Sequence, residues 1–262
     1  MKASCIAFIT DFGINDPFVG MMKAVILGIA PRVPMVDITH SIPPQDLSTA
    51  GFYLMVSLEY FPKGTIFVTV VDPLVGTGRG IIWARTRNHQ FIVPDNGVIG
   101  WVKEREKMLE ARFVQNTGLF LPKISSTFHG RDIIAPVAAR LAAGLSPAKL
   151  GPVLKECRKT AFPRASRSGN HVYGKVIAVD HFGNAITNIL REYVTSHSIF
   201  RIKDRVIGGM KITYASAQEG ETMALTGSFG FVEFSVRNGN FAAMFGVKAG
   251  DPAEVLVSLD EQ

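Results

Sequence analysis

A chain of 262 residues that is 47% hydrophobic can build one large domain or two modest ones around a real core, which points to a globular, soluble protein. A formal charge of +6 and a sequence pI near 9.4 suit nucleic acid on paper, but Lys and Arg are scattered. They are densest in KECRKTAFPRASR (155–167), and no aromatic-interleaved RNA motif accompanies them, so anionic small substrates fit the charge equally well. Only two cysteines, Cys5 and Cys157, are present, which excludes a disulfide framework or a zinc cluster and suits a reducing cytoplasm.

In chain order, MKASCIAFIT runs straight into Asp11 with no cleavage site and reads as a first strand, not a secretion signal. FVGMMKAVILGIA (18–30) is too short and interrupted to cross a bilayer. Its pattern predicts a helix that Asp16-Pro17 begins and Pro31 limits. VPMVDIT is a second strand, after which Asp37 and His40 are placed to fix the chain reversal. Asp46 can cap a second helix, LSTAGFYLMVSLEYF, stopped by Pro62 and Gly64.

TIFVTVV (65–71), GIIWART and QFIV are further strands, and PDNG (94–97) is a turn whose Asn96 could approach a ligand. Asp132 is expected to begin a third helix, with Pro136 in its early turn and Gly144 beyond its end. Strands alternating with helices indicate an α/β domain over residues 1–160 with a mostly parallel sheet. TAFPRASRSGN then has no apolar period, which places a linker at 161–170. Beyond it, HVYGKVIAVD, NAITNIL, SIFRIK, KITYA, TMALTG, FVEFSVR and AEVLVSL predict a smaller all-β domain over 171–262.

Polar residues gather beside strand ends and turns: Asp11 and Asp16; Asp37, His40 and Asp46; Asp72, Thr77 and Arg79; His129, Arg131 and Asp132. The second half adds Asp180, His181 and Asn184, then Ser228, Glu233, Arg237 and Asn238. Asp16, Asp46 and Asp132 read first as helix caps, and His181 beside Phe182 as a packed imidazole. VDPLVGTGRG (71–80) follows a buried strand, yet a G-x-G-x-x-G reading needs glycine where Ile81 stands, and the P-loop Lys-Ser/Thr pair is missing. Asp11, Asp16, Asp72 and His129 could instead ligate Mg²⁺ or Mn²⁺ for phosphoester hydrolysis, though no local metal-ligand spacing supports that alternative.

Taken in order, TDFG-x-x-D, DITHSIPPQD, VDPLVGTGR, PDNG, TFHGRD, DHFGN and SFGFVEFSVRNG resemble the S-adenosylmethionine hydroxide adenosyltransferases, relatives of the fluorinating and chlorinating enzymes. The resemblance runs over nearly the whole chain. It implies a C-terminal domain that is barrel-like and hydrolysis of S-adenosyl-L-methionine (SAM) to adenosine and L-methionine by attack at the ribose 5′ carbon. SAM is then the substrate, with no cofactor and no metal, and the assembly is a homotrimer with its ligand between domains of neighbouring subunits.

By the same resemblance Asp72, Arg79 and His129 are catalytic: Arg79 stabilises hydroxide character, His129 takes a proton or anchors water, and Asp72 orients it. Asp11 grips the ribose hydroxyls, while Asp16 and Asp180, with Ser228 and Glu233, meet the methionine ammonium. Asn184 and the backbone from Arg237 to Gly239 contact adenine. Halogenating relatives carry an aromatic residue at the position of Asp72 and serine at that of Gly130, so the resemblance favours hydroxide over halide; they carry Arg at that of Phe229, so recognition of the methionine carboxylate differs in detail. A SAM-dependent halogenase and a non-catalytic adenosine-binding or SAM-binding module are the alternatives.

Overall fold

The computed structural model describes residues 3–158 and 160–258. The chain divides into two compact units, Met1–Phe162 and Pro163–Gln262.

The first unit is built on strands β1 (Ile6–Thr10), β2 (Met35–Thr39), β3 (Ile66–Val70), β4 (Ile81–Arg85), β5 (Gln90–Pro94) and β6 (Glu110–Phe113), ordered β2-β1-β3-β5-β4-β6. β1, β3 and β5 are buried along their whole length, which explains why they are apolar on both faces apart from Thr10, Thr69 and Gln90. Alternate side chains feed two cores, as the two-residue strand period requires. Ile6, Phe8, Ile66 and Val68 pack with Met22 and Ile26 of α1 (Phe18–Ile29) and with Val137 and Ala138 of α3 (Ala135–Ala142). Ala7, Ile9, Phe67 and Phe91 pack with Ala50 and Leu54 of α2 (Leu47–Ser57) on the other face.

The sheet is mixed, a correction to the mostly parallel expectation. β1 pairs parallel with β2 and β3, and β3 with β5, but β4 pairs antiparallel with both β5 and β6. The connection from Arg85 to Gln90 is too short for the crossover that a parallel pair needs, so it closes as a hairpin. β6 escapes the sequence reading because EARF carries little apolar pattern; Arg85 and Arg112 bracket its Glu110 at 3.0 and 2.6 Å.

Asp46 caps α2 as expected, its Oδ1 accepting from the Ser48 and Thr49 amides at 2.9 and 3.0 Å. The other two expected caps are corrected. α1 begins one residue late, at Phe18, with Pro17 at the cap position and no side-chain cap, leaving Asp16 exposed. Asp132 is fully buried inside a π-helical turn, Gly130–Ile134, that precedes α3. Pro136 has no amide to offer the Asp132 carbonyl, which accepts from Leu121 at 2.9 Å instead. Gly144, at φ +101°, ends α3 as expected.

The second unit contains β7 (Ser166–Ser168), β8 (His171–Val179), β9 (Ala185–Leu190), β10 (Ile199–Ile202), β11 (Arg205–Gly208), β12 (Met210–Lys211), β13 (Thr222–Thr226), β14 (Phe231–Val236) and β15 (Pro252–Leu256). Their order is β11-β10-β15-β8-β9-β14-β13-β12, with β7 on β8, and all pairs but β12 with β13 are antiparallel. The first half of β8 pairs with β15 and the second half with β9, so this one strand joins both parts of the sheet around a core of Phe200, Phe234 and Phe241. The arrangement is nearly a barrel, and no pairing among the described residues joins β11 to β12. β7 lies within the stretch read as a linker. The expected strand KITYA is strand only at Lys211; Thr213 and Ser216 cap each other and turn Tyr214–Ser216 into a 3₁₀ segment.

Candidate active site

At the carboxyl end of β3 the chain leaves the sheet at Asp72, where open α/β sheets bind ligands. Asp11 follows β1 at the same edge, because β1 and β3 are parallel and in register. His129 stands just before the π-turn. These residues line a cavity of about 320 Å³ together with Arg79, Gln45, Val75 and Thr127. Phe12, Phe18 and Phe128 form an aromatic wall, their ring centroids 5.2 to 5.8 Å apart.

A larger cavity, about 390 Å³, opens at the opposite sheet edge beside Arg85, Gln90 and Arg112. Its two arginines are engaged by Glu110, so charge there is satisfied within the protein. The smaller cavity gathers two carboxylates, a guanidinium and an imidazole.

Arg79 is buried and its Nη2 donates to Asp72 Oδ2. The same nitrogen lies 3.3 Å from His129 Nδ1. A guanidinium has donors only, so Nδ1 is the acceptor and the imidazole proton sits on Nε2. Arg79 Nε is buried without a protein acceptor. The Asn96 amide holds the Val71 carbonyl at 2.8 Å, so the PDNG turn secures the backbone next to Asp72 and is absent from the cavity wall.

Burial pushes the His129 pKa below 6.5 and the nearby Arg79 charge adds to this, against the opposing pull of Asp72 and Asp132. His129 is therefore neutral at pH 7. Below about pH 6.5 the unfolded chain takes up this proton before the folded one, so the stability linked to His129 is complete above that pH and declines as pH falls through the lower folded value. His129→Asn should flatten the melting-temperature profile between pH 6.5 and 5, and equal slopes for both proteins would contradict this arrangement.

Asp37 and His40 sit beyond the cavity. Burial alone would raise the Asp37 carboxyl, but Lys23 at 2.5 Å and His40 at 3.0 Å hold it below its ordinary value. His40 Nδ1 lies 2.9 Å from Thr10 Oγ1, so this group ties β1 to β2 as the reversal reading requires. Among the described residues no three His, Cys, Asp or Glu side chains gather as a metal-holding group; of the four counted for the metal alternative, Asp11, Asp72 and His129 line the cavity and Asp16 does not.

In the second unit Asp180 Oδ1 accepts from the Phe182 and Asn184 amides at 2.9 and 2.8 Å, and Oδ2 from Asn184 Nδ2 at 2.8 Å. With about four acceptor positions on a carboxylate, roughly one stays open to a ligand. Asn184 also reaches the Tyr214 hydroxyl at 3.4 Å, and that hydroxyl donates to buried Glu233. Burial raises the Glu233 pKa, Tyr214 opposes the rise and Asp180 adds to it; burial and Glu233 likewise raise that of Tyr214. Ser228 is exposed in the β13–β14 turn, His181 is exposed with its ring edge-on to Phe182 at 5.7 Å, and Arg237 folds back on the Ala217 carbonyl. Gly239 N donates to Val236 O at 3.1 Å in a turn that places Asn238 at φ +56°.

The structure thus brings Asp11, Asp72, Arg79 and His129 to one cavity, and Asp180, Asn184 and Glu233 to one hydrogen-bonded cluster. Asp16, Ser228, Arg237 and Gly239 join neither by a side-chain hydrogen bond. Sequence reading missed Tyr214, which looked like part of a strand, and Gln45. It quoted Phe12, Phe18 and Phe128 inside its motifs without giving them a role, although aromatics beside polar turn residues were the available signal.

Two family models match the chain: the SAM hydroxide adenosyltransferase N-terminal domain over residues 6–151 and the C-terminal domain over 174–254. The (R)-S-adenosyl-L-methionine hydrolase of Thermus thermophilus is 36% identical, covering 95% of this chain and 98% of that protein. A fluorinase from an Actinoplanes species is 32% identical over 71% of this chain and 72% of its own length. A crystal structure of a conserved protein from Thermotoga maritima superposes with a TM-score of 0.90 at 35% identity, covering 95% of this chain and 99% of that one. With both domain models matched in order, the chain belongs to the SAM hydroxide adenosyltransferase family.

Proposed function

We propose that this protein hydrolyses SAM, in the (R) sulfonium configuration named for its relatives, to adenosine and L-methionine. The observation that carries the reading is the contact chain from Asp72 through Arg79 to His129 on the wall of one cavity. Water is a weak nucleophile and needs orientation behind the 5′ carbon. Its oxygen bonds to that carbon while the carbon–sulfur bond breaks, and the bonding pair leaves with sulfur as the neutral thioether of methionine. Asp72 accepts the water proton. Arg79 steadies developing negative charge on oxygen, and His129 donates Nε2–H as an anchor, since its Nδ1 faces Arg79. The aromatic wall suits a sulfonium cation and an apolar nucleoside face.

Asp11 serves the ribose hydroxyls, and Asp16 and Asp180 with Ser228 and Glu233 the methionine ammonium. Asn184 and the turn from Arg237 to Gly239 serve adenine. The reading includes a homotrimer whose site draws on neighbouring subunits. Phe18, Met21 and Leu27 leave α1 with exposed apolar side chains that a second copy could cover. Cytoplasmic residence accords with a chain of only two cysteines, both buried, and no described helix is long and apolar enough to cross a membrane.

Hydrolysis is favoured over halide transfer because the Asp72 carboxylate stands on the nucleophile side and repels an anion. A serine at Gly130 would also crowd Met22 Sδ, 3.2 Å from the position a Cβ would take. In ¹⁸O-water, without added metal, the label should appear in the adenosine 5′ hydroxyl. Unlabelled adenosine would exclude direct attack, 5′-halogenated product in added halide would favour the halogenase, and binding without turnover a non-catalytic module.

A further inference from the structure

Asp11 has one protein hydrogen bond of note, and its donor is unusual. The Gln45 amide gives its hydrogen to Asp11 Oδ2 at 2.9 Å, and both residues line the cavity. Gln45 has φ +66°, the left-handed region that disfavours side chains other than glycine and asparagine. Lys203 and Asn238 are the other described non-glycine residues with positive φ, and neither lines this cavity.

The sequence explains how Gln45 is held there. Asp46 N donates to Pro43 O at 3.0 Å, closing a four-residue turn with Pro44 second and Gln45 third. Proline second and positive φ third are the marks of a type II turn, in which glycine is the ordinary third residue. The donors of this segment can be counted. Ile42 N is used on Thr10 O at 3.3 Å, Pro43 and Pro44 have none, and Asp46 N closes the turn. Asp46 itself is committed to capping α2. The Gln45 amide is therefore the donor that this segment turns toward the carboxylate, and the turn's left-handed residue aims it.

We infer that Gln45 is a positioning residue for the nucleoside: its backbone amide, aimed by a strained turn, pins one oxygen of Asp11 so that the other faces the ribose diol. Strain of this kind persists where the surroundings over-determine it, here two prolines on one side and a helix cap on the other. The inference rests on Asp11 being the ribose contact, and the test separates the two.

Adenosine and 2′,3′-dideoxyadenosine binding are measured by calorimetry, and SAM hydrolysis by kcat and KM, for Gln45→Val, Gln45→Asn, Gln45→Gly, Asp11→Ala and the Asp11→Ala/Gln45→Val pair. Valine, β-branched, opposes positive φ; asparagine and glycine accept it. Gln45→Val should weaken adenosine binding and raise KM by about 10-fold with a smaller change in kcat, while leaving dideoxyadenosine affinity unchanged; this scale corresponds to one charge-assisted hydrogen bond. Asn and Gly variants should bind as the parent does, and valine should add nothing once Asp11 is Ala. Parent-like adenosine binding by a folded Val variant, an equal loss with Asn or Gly, or full additivity in the pair would overturn the inference. If Val does not fold, Gln45→Ala, which opposes positive φ less strongly, takes its place: weaker adenosine binding with unchanged dideoxyadenosine affinity supports the turn's role, and parent-like adenosine binding refutes it. Unchanged adenosine affinity in Asp11→Ala would instead remove the ribose role of Asp11 itself.

Discussion

Replacing Asp72 with Asn should lower kcat for adenosine release by about 10²- to 10⁴-fold, the range associated with loss of a positioned proton acceptor. The amide keeps the volume but cannot take the water proton, and it offers Arg79 a weaker acceptor. Asp72→Ala tests the physical side of the same pair. Both side chains are nearly fully buried, at 2% and 6% exposure, so removing one leaves an uncompensated guanidinium in the wall of the cavity. Truncating one partner of such a pair costs about 3–5 kcal/mol. Denaturant melts should show that loss for Asp72→Ala and a smaller one for Asp72→Asn, and substrate dissociation measured by rapid mixing should change little. Near-parent kcat in Asp72→Asn would remove Asp72 from the chemistry.

Gly183→Ala should destabilise the second unit by about 2–4 kcal/mol, combining left-handed strain with overpacking. Gly183 has φ +84°, and an added Cβ would stand 2.0 Å from Asn240 Oδ1. Asn240 cannot yield easily, because its Oδ1 accepts from Ala243 N at 2.7 Å and caps α4 (Phe241–Phe245). The Gly183 carbonyl also accepts from Ala242 N at 2.9 Å, so the turn that carries Asp180 and Asn184 leans on the helix start. The expected result is a lower urea midpoint by far-ultraviolet circular dichroism together with a higher KM for SAM. An unchanged midpoint would show that the turn can relax around the methyl group.

Much of the fold was legible because burial writes itself into composition. β1, β3 and β5 are buried on both faces and appear as runs dominated by β-branched and aromatic residues. Asp46 was legible as a cap because capping is a local contact between a side chain and amides two and three residues on. Asp16 carries the same local signal and caps nothing, and Asp132 carries it while buried in a π-turn: Pro136 and the Leu121 amide, distant in sequence, decide that geometry. Strand direction in β4 followed from a short connection whose meaning depends on which strand it must join.

At the site, the residue types were readable and their company was not. Asp72 and Arg79 lie close in sequence, but the 3.3 Å contact with His129 spans 50 residues and settles which imidazole nitrogen carries the proton. Tyr214 gave no sign of its place between Asn184 and Glu233, since a 3₁₀ turn held by Thr213 and Ser216 overrode a strand-like pattern.

By itself the sequence determined the main buried strands and the helices, the two kinds of domain and the acids, arginine and histidine available for chemistry, because these depend on periodicity and local turn preference. Only the tertiary structure decided which of them meet, which nitrogen donates and which backbone amide holds Asp11, because hydrogen bonds act over about 3 Å and the chain brings partners that close from tens of residues apart.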